Sequence, residues 1–363
     1  MSALGYALHF ASSYMQARAK FLAAAAARGA TLESWVLPGV RGAEGEELAL
    51  EVARLGAADA GEVLVLSSAT HGVEGYCGSG AQVALLHDDG VAEAIEDSGA
   101  AVLFVHALNP YGFSHLRRAN EDNVDLNRNF RDHAEAAPAN AGYAELHSLL
   151  LPDSWPPPAS NEARLAAWTA QHGERALQAA MTGGQYSHPD GLFFGGNRAT
   201  WSARTLRDVL QRHAGSARRL GWIDFHTGLG PTGHGEKIFA ARDDAATLAR
   251  TRAWWGQDVT SFYDGSSNSA ALTGVLFNVV DEVCPAAEYT GIALEFGTVP
   301  LPEVMLALRA EGWLHRHPEA PAELAAAIRR QMRDSFYVDN DAWKEQVGRQ
   351  SREAVLAALE GLR

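Results

Sequence analysis

"GEVLVLSSATHG", residues 61–72, is a run of valines and leucines that gives way to small residues and ends beside a histidine. Its apolar residues do not alternate with polar ones. A strand of this kind is covered on both faces, as inside an α/β sheet. Working outward, "AAVLFVHALNP" (100–110) reads the same way and is stopped by Asn109-Pro110. "RRLGWIDFHTGLG" (218–230), "EKIFAAR" (236–242), "GVLFNVVDEV" (274–283) and "TGIALEFGTVP" (290–300) supply four more expected strands. Helical patterns lie between and after them. One spans 12–28, with a serine cap and Gly29 at its stop, and one begins at "GAQVALLHDDG". Others cover 302–312, 321–336 and 340–361. Strands separated by helices predict an α/β fold with helices on both sheet faces. The Ala- and Pro-rich stretch 134–160 and the Gly-rich "GGQYSHPDGLFFGGN" (183–197) read as excursions within one domain. The expected organisation is one domain, 1–363, with an insertion at about 131–217.

Composition narrows the function. Of 363 residues, 47% are hydrophobic and 20% charged, enough for a sizeable core. The net charge of −14 and pI near 5.4 argue against nucleic acid and anionic membrane surfaces as partners. Two cysteines, Cys77 and Cys284, make no disulfide framework. The first twenty residues show no basic segment followed by a long apolar one, and no run approaches a membrane span. Cytoplasm is the expected location.

Chemistry concentrates at strand ends. His71 and Glu74 follow the first buried strand as His-x-x-Glu; among the 14 histidines, only this one has an acidic residue three positions on. Three residues is about one helical turn, so both side chains can face one side and share a metal. Taken alone, the pair is read better as a surface turn with an incidental salt bridge. His226, in "WIDFHTGLG", qualifies as a third ligand, and as a core histidine. Asp224, two residues earlier on the same strand face, is placed to accept a hydrogen bond from a ligating histidine. Glu295 sits inside the apolar "GIALEFGTV"; a carboxylate there is costly unless paired or used as a base. The segment "NPYGFSHLRRANEDNVDLNRNF" (109–130) gathers arginine and asparagine side chains. Asn127-Arg128 suits bidentate recognition of a carboxylate, and Arg118 suits a developing oxyanion.

Taken in order, these residues resemble the zinc metallocarboxypeptidase family, which includes the pancreatic carboxypeptidases. The carriers are His71-Gly-Val-Glu74, Asn109-Pro-Tyr-Gly112, Arg118, Asp125-Leu-Asn127-Arg128-Asn129-Phe130, His226 and Glu295. "DFHTGLGPTGHGEKIF" and "GGQYSHPDGLFFGG" resemble a bacterial branch of that family known as a domain of unknown function. The resemblance implies a three-layer α/β/α fold with a mixed, mainly eight-stranded twisted sheet. It also implies one zinc per chain held by His71, Glu74 and His226. Glu295 would be the general base, Arg118 the oxyanion partner, and Asn127 and Arg128 the holders of a C-terminal carboxylate. A peptide substrate follows from this reading. The alternative is a deacylase acting on a small N-acyl amino acid, like the aspartoacylase group, which shares His-x-x-Glu and Asp-Leu-Asn-Arg. The spacing from Asn109 to Arg118, together with Asn129-Phe130, favours the peptidase. A non-catalytic peptide-binding relative would lack a ligand or the base, and none is missing. Tyr263 and Tyr289 are the candidates for a tyrosine covering the substrate. His234 and Lys237 are candidate lining residues, Cys77 reads as packing, and residues 131–217 are expected to narrow the entrance.

Overall fold

The computed structural model describes residues 5–363. Seven strands form one sheet: β1 (Thr31–Arg41), β2 (Glu47–Leu55), β3 (Glu62–Ser67), β4 (Ala101–His106), β5 (Arg219–Thr232), β6 (Gly235–Phe239) and β7 (Glu288–Gly297). Their order is β1-β2-β4-β3-β5-β7-β6. The inner strands β4, β3, β5 and β7 run parallel, while β1, β2 and β6 join antiparallel at the edges. The sheet is mixed and lies between helices, as expected, with seven strands where the resemblance implies eight.

Continuous apolar runs become the inner strands because both faces are covered. All six residues of β4 are buried, and Trp222 in β5 is fully enclosed. One face packs on the helices Tyr14–Ala27, Gly75–His87 and Asp341–Gly361. Trp201–Ala214 packs on the other. A third cluster joins Ala141–Leu150 and Glu174–Thr182 to Leu301–Arg316 and Ala322–Phe336. No helix among the described residues is long and apolar enough to cross a membrane.

Two expectations need correction. The segment 274–283 is not a strand: it turns into the short helix Asn278–Val283. Val275, Leu276, Phe277, Val279 and Val280 still enter the core. A short apolar run satisfies a buried helix as well as a buried strand, and here tertiary packing decided. The helix expected from "GAQVALLHDDG" begins earlier, at Gly75. Its first turns carry glycines that pack closely: a Cβ on Gly78 would lie 2.7 Å from Ser68 Cβ. The hairpin β1–β2 had no counterpart among the expected strands. β1 is an edge strand with mostly solvated side chains and a proline.

Within the sheet, β3 lies between β4 and β5, so the connection to β4 and the later one to β5 run to opposite sides of it. The crevice at the C-terminal ends of such strands is where open α/β sheets place ligands.

Candidate metal centre and cleft

The turn after β3 is held from below. Ser68 N donates to Val105 O, Leu108 N to Ser68 O and Asn109 N to Ala69 O. Ala69 takes φ 56°, a left-handed conformation that needs such support in a non-glycine residue. This turn delivers His71. Gly72 and Val73 then donate to the backbone oxygens of Arg118 and Arg117 at 3.1 and 2.8 Å. A Cβ on Gly72 would lie 2.1 Å from the carbonyl carbon of Gly112, so the two glycines are a direct backbone contact. Asn109 caps the Pro110–His115 helix through Gly112 N and donates to Arg118 O. The Asn-Pro-x-Gly motif therefore sets the height of His-x-x-Glu against the arginine segment.

β5 and β7 supply the other half. Their register puts His226 beside Glu295, and β3–β5 pairing puts Ser67 beside Asp224. His71, Glu74 and His226 converge, with one ligand atom from each within 4.8 Å of the others. His71 Nδ1 is 2.8 Å from Glu74 Oε1 and 3.3 Å from His226 Nδ1, which is 3.0 Å from Glu74 Oε2. All three residues are buried.

The donor set fits zinc. Two imidazole nitrogens and one carboxylate are a usual catalytic set, and donors about 2.1 Å from a tetrahedral ion lie about 3.4 Å apart. Each histidine also faces a carboxylate on its other nitrogen: His226 Nε2 lies 2.5 Å from Asp224 Oδ2, and His71 Nε2 lies 3.3 Å from Asp125 Oδ1. Such partners fix the ring and raise its basicity toward a metal. Asp224 is itself held by Ser67 Oγ and Thr70 Oγ1. We expect Asp224→Asn to weaken metal affinity about 10- to 100-fold, measured by competition with a chelating dye.

Arg118 spans the cluster, donating to Asp125 at 2.9 Å and Glu74 at 3.2 Å. Burial opposes the charge on Asp125, yet Arg118 and His71 hold its carboxyl well below the usual range. Burial likewise disfavours the charged His226 ring, but Asp224 and Glu74 keep its pKa well above the ordinary value. Glu295 differs. Burial, reinforced by the charge of Glu74, pushes its carboxyl up to about 8. One oxygen accepts from Leu229 N at 2.9 Å.

Asn127 and Arg128 lie on the same cleft wall. Asp125 Oδ1 accepts Asn127 N, and Asn127 Oδ1 accepts Leu276 N at 2.8 Å. The Arg128 guanidinium is buried and donates to Thr182 O and Asn127 O. Among the described residues, no carboxylate bonds it directly. Burial lowers its pKa to about 10, which leaves it cationic at neutral pH.

The cleft joining these groups holds about 840 Å³ of space, its mouth included. All seven expected site residues line it. Tyr263 and Tyr289 do not: their hydroxyls bond Ala241 O and Ala240 O, and Tyr289 lies against the core. Lys237 points instead to Trp255 O and Asp258, and His234 sits in the turn between β5 and β6. Cys77 is buried packing. Sequence reasoning gave no separate part to Asp125, which motif position alone signalled. It also missed Gln178, Thr182 and Phe193, which reach the cleft from residues 131–217; no local pattern announces such contacts.

An open, mixed α/β sheet with a two-histidine, one-glutamate cluster at the C-terminal edge of its parallel strands defines the class. Residues 10–350 match the family described as "Protein of unknown function (DUF2817)", and the chain belongs to that family. No curated protein matches it. Among solved structures, it is similar to carboxypeptidase A from Helicoverpa armigera. That match has 14% identity and a TM-score of 0.46, covering 87% of this chain and 73% of that one. It is also similar to a metallo-carboxypeptidase from Pseudomonas aeruginosa in complex with (2-guanidinoethylmercapto)succinic acid. Here identity is 13% and the TM-score 0.45, over 95% and 69% of the two chains. Bovine thrombin-activatable fibrinolysis inhibitor, in complex with tick carboxypeptidase inhibitor, matches at 12% identity and TM-score 0.44, over 89% and 97%.

Proposed function

We propose that this chain is a zinc-dependent metallopeptidase that hydrolyses the amide bond next to a C-terminal carboxylate. The observation that carries the reading is one cleft holding a His71–Glu74–His226 donor set, the adjacent carboxyl of Glu295, the partly buried Arg118 and the buried Arg128. Zinc bound there would polarise the scissile carbonyl and acidify a water. Arg128 and Asn127 hold the substrate carboxylate, Arg128 being a buried cation without a directly bonded anion. Arg118 donates to the carbonyl oxygen as negative charge develops on it. Glu295 takes the proton of the attacking water and passes it to the leaving amine. The chain acts as one domain, with residues 131–217 as the insertion that covers the cleft. Phe193, Gln178 and Thr182 at that cover favour short substrates, a small N-acyl amino acid among them.

The test is to quantify metal in the purified protein and assay blocked dipeptides and N-acyl amino acids with and without chelator. We expect about one zinc per chain and release of a C-terminal residue that stops on chelation and returns with zinc. Cleavage confined to N-acyl aspartate would establish the deacylase instead. No stoichiometric metal and no turnover in a folded, zinc-resupplied sample would reject both.

A further inference from the structure

Residues 117 and 118 lie in no helix or strand, so tertiary bonds set their place. Arg117 N donates to Gly112 O at 2.7 Å, and Arg117 O accepts from Val73 N inside His-x-x-Glu. The two adjacent arginine side chains then part. Arg118 bonds Asp125 and Glu74 at the metal cluster, and its guanidinium lies 4.7 Å from the centre of the Phe193 ring. Arg117 bonds Glu311 through Nε and Asn123 Oδ1 through Nη2, the latter at 2.8 Å. The side chains of Arg117 and Glu311 are each 8% exposed, a buried ion pair.

The two partners of Arg117 lead to different walls of the cleft. Glu311 is on the helix Leu301–Arg316, three residues after Leu308, which lines the cleft; residues three apart share a helix face. Asn123 takes φ 57° and donates to Pro189 O and Gly191 O at 3.0 and 3.1 Å, in the segment that carries Phe193. That segment also meets the helix directly: a Cβ on Gly312 would lie 2.5 Å from Leu192 Cδ2. A small cavity lined by Arg118, Asn123, Asp125, Phe193, Leu308 and Glu311 lies among these parts.

From this arrangement, and resting on the peptidase reading above, we propose that Arg117 is a positioning residue: through Glu311 and Asn123 it fixes Arg118, and the Phe193 ring over it, relative to the scissile carbonyl. Arg118 serves only where its donors meet the oxygen on which charge develops, and a displacement of about 1 Å costs about 10²-fold in rate. A buried ion pair is a weak device for stability alone, since apolar residues of similar volume often do as well. What it adds is direction. The planar guanidinium presents its donors in a fixed fork, so one side chain holds the helix carboxylate and the loop amide at a set angle. Because Arg118 acts on charge that exists only in the transition state, its displacement lowers kcat and leaves KM nearly unchanged.

The test uses the zinc-loaded full chain with Arg117→Lys, and with Arg117→Met and Glu311→Leu combined. Val355→Ala, a core truncation in the helix Asp341–Gly361, is the control for plain destabilisation. On blocked dipeptides, Arg117→Lys should lower kcat about 10- to 100-fold. On an Arg118→Ala background the same change should cost no more than about twofold, because nothing is left to place. The apolar pair should keep the melting temperature and still lose turnover; it carries the comparison should Arg117→Lys fail to fold. Hydrogen exchange reads the coupling without turnover. In Arg117→Lys, amides of 72–74 and 189–193 should exchange faster relative to those of β4, a ratio that Val355→Ala should leave alone. Equal kcat losses with and without Arg118, or full turnover in the apolar pair, would overturn the proposal and leave the peptidase reading intact. No hydrolysis by the wild type would reject the peptidase reading, and exchange would then decide: a selective rise at 72–74 and 189–193 supports the hold of Arg117, and an unchanged ratio overturns it.

Discussion

Glu295→Gln is expected to lower kcat by about 10²- to 10⁴-fold, the usual contribution of a positioned proton-transfer group, while zinc content stays unchanged. Glutamine preserves shape and the acceptor for Leu229 N but cannot take a proton. The same substitution has a second signature in the metal-free protein. Burial and the Glu74 charge raise the Glu295 pKa to about 8, against about 4.3 for an unfolded glutamate. A raised folded pKa means that the native state holds its proton more tightly. The resulting stability is full at pH below about 4 and is lost as pH rises through about 8. Thermal melting of chelated wild-type protein should therefore weaken over that window, and Glu295→Gln should flatten the decline. Unchanged turnover in the variant would remove Glu295 from the mechanism.

Arg128→Ala should reduce kcat/KM for substrates with a free terminal carboxylate by about 30- to 5,000-fold, the range for truncating one partner of a buried charge pair. The deciding comparison is with amidated substrates, which lack that charge and should lose little. Arg128 also ties Thr182 to the cleft floor, so some loss of stability is expected for all substrates alike. The ratio between the two substrate sets separates these effects. Equal losses on both would show that Arg128 only supports the fold. Lysine at this position should restore little, because a compact ammonium does not reproduce the planar donor fork.

Much of the site was legible because its chemistry lies in short motifs at strand ends. His71 with Glu74, Asp125 through Phe130, and the lone Glu295 within an apolar run each carry polar groups where burial makes them costly. The buried strands were legible for the complementary reason: residues covered on both faces are apolar without alternation. Edge strand β1 carries no such signal, since solvent accepts almost any side chain there. The run 274–283 was misread because its valines serve a core, and burial alone does not specify backbone geometry.

By itself, the sequence determined the α/β class, the order of the inner strands along the chain, and which side chains are candidates for metal-ligand and anion-binding chemistry. Their mutual positions came only from the tertiary structure. Register set His226 beside Glu295, and backbone contact between Gly72 and Gly112 set His71 against Arg118. Folding also brought Val275 and Phe277 next to Arg128, about 150 residues away in the chain. Local propensity acts over a few residues. Contacts across so many residues depend on how whole layers pack, which no short stretch encodes.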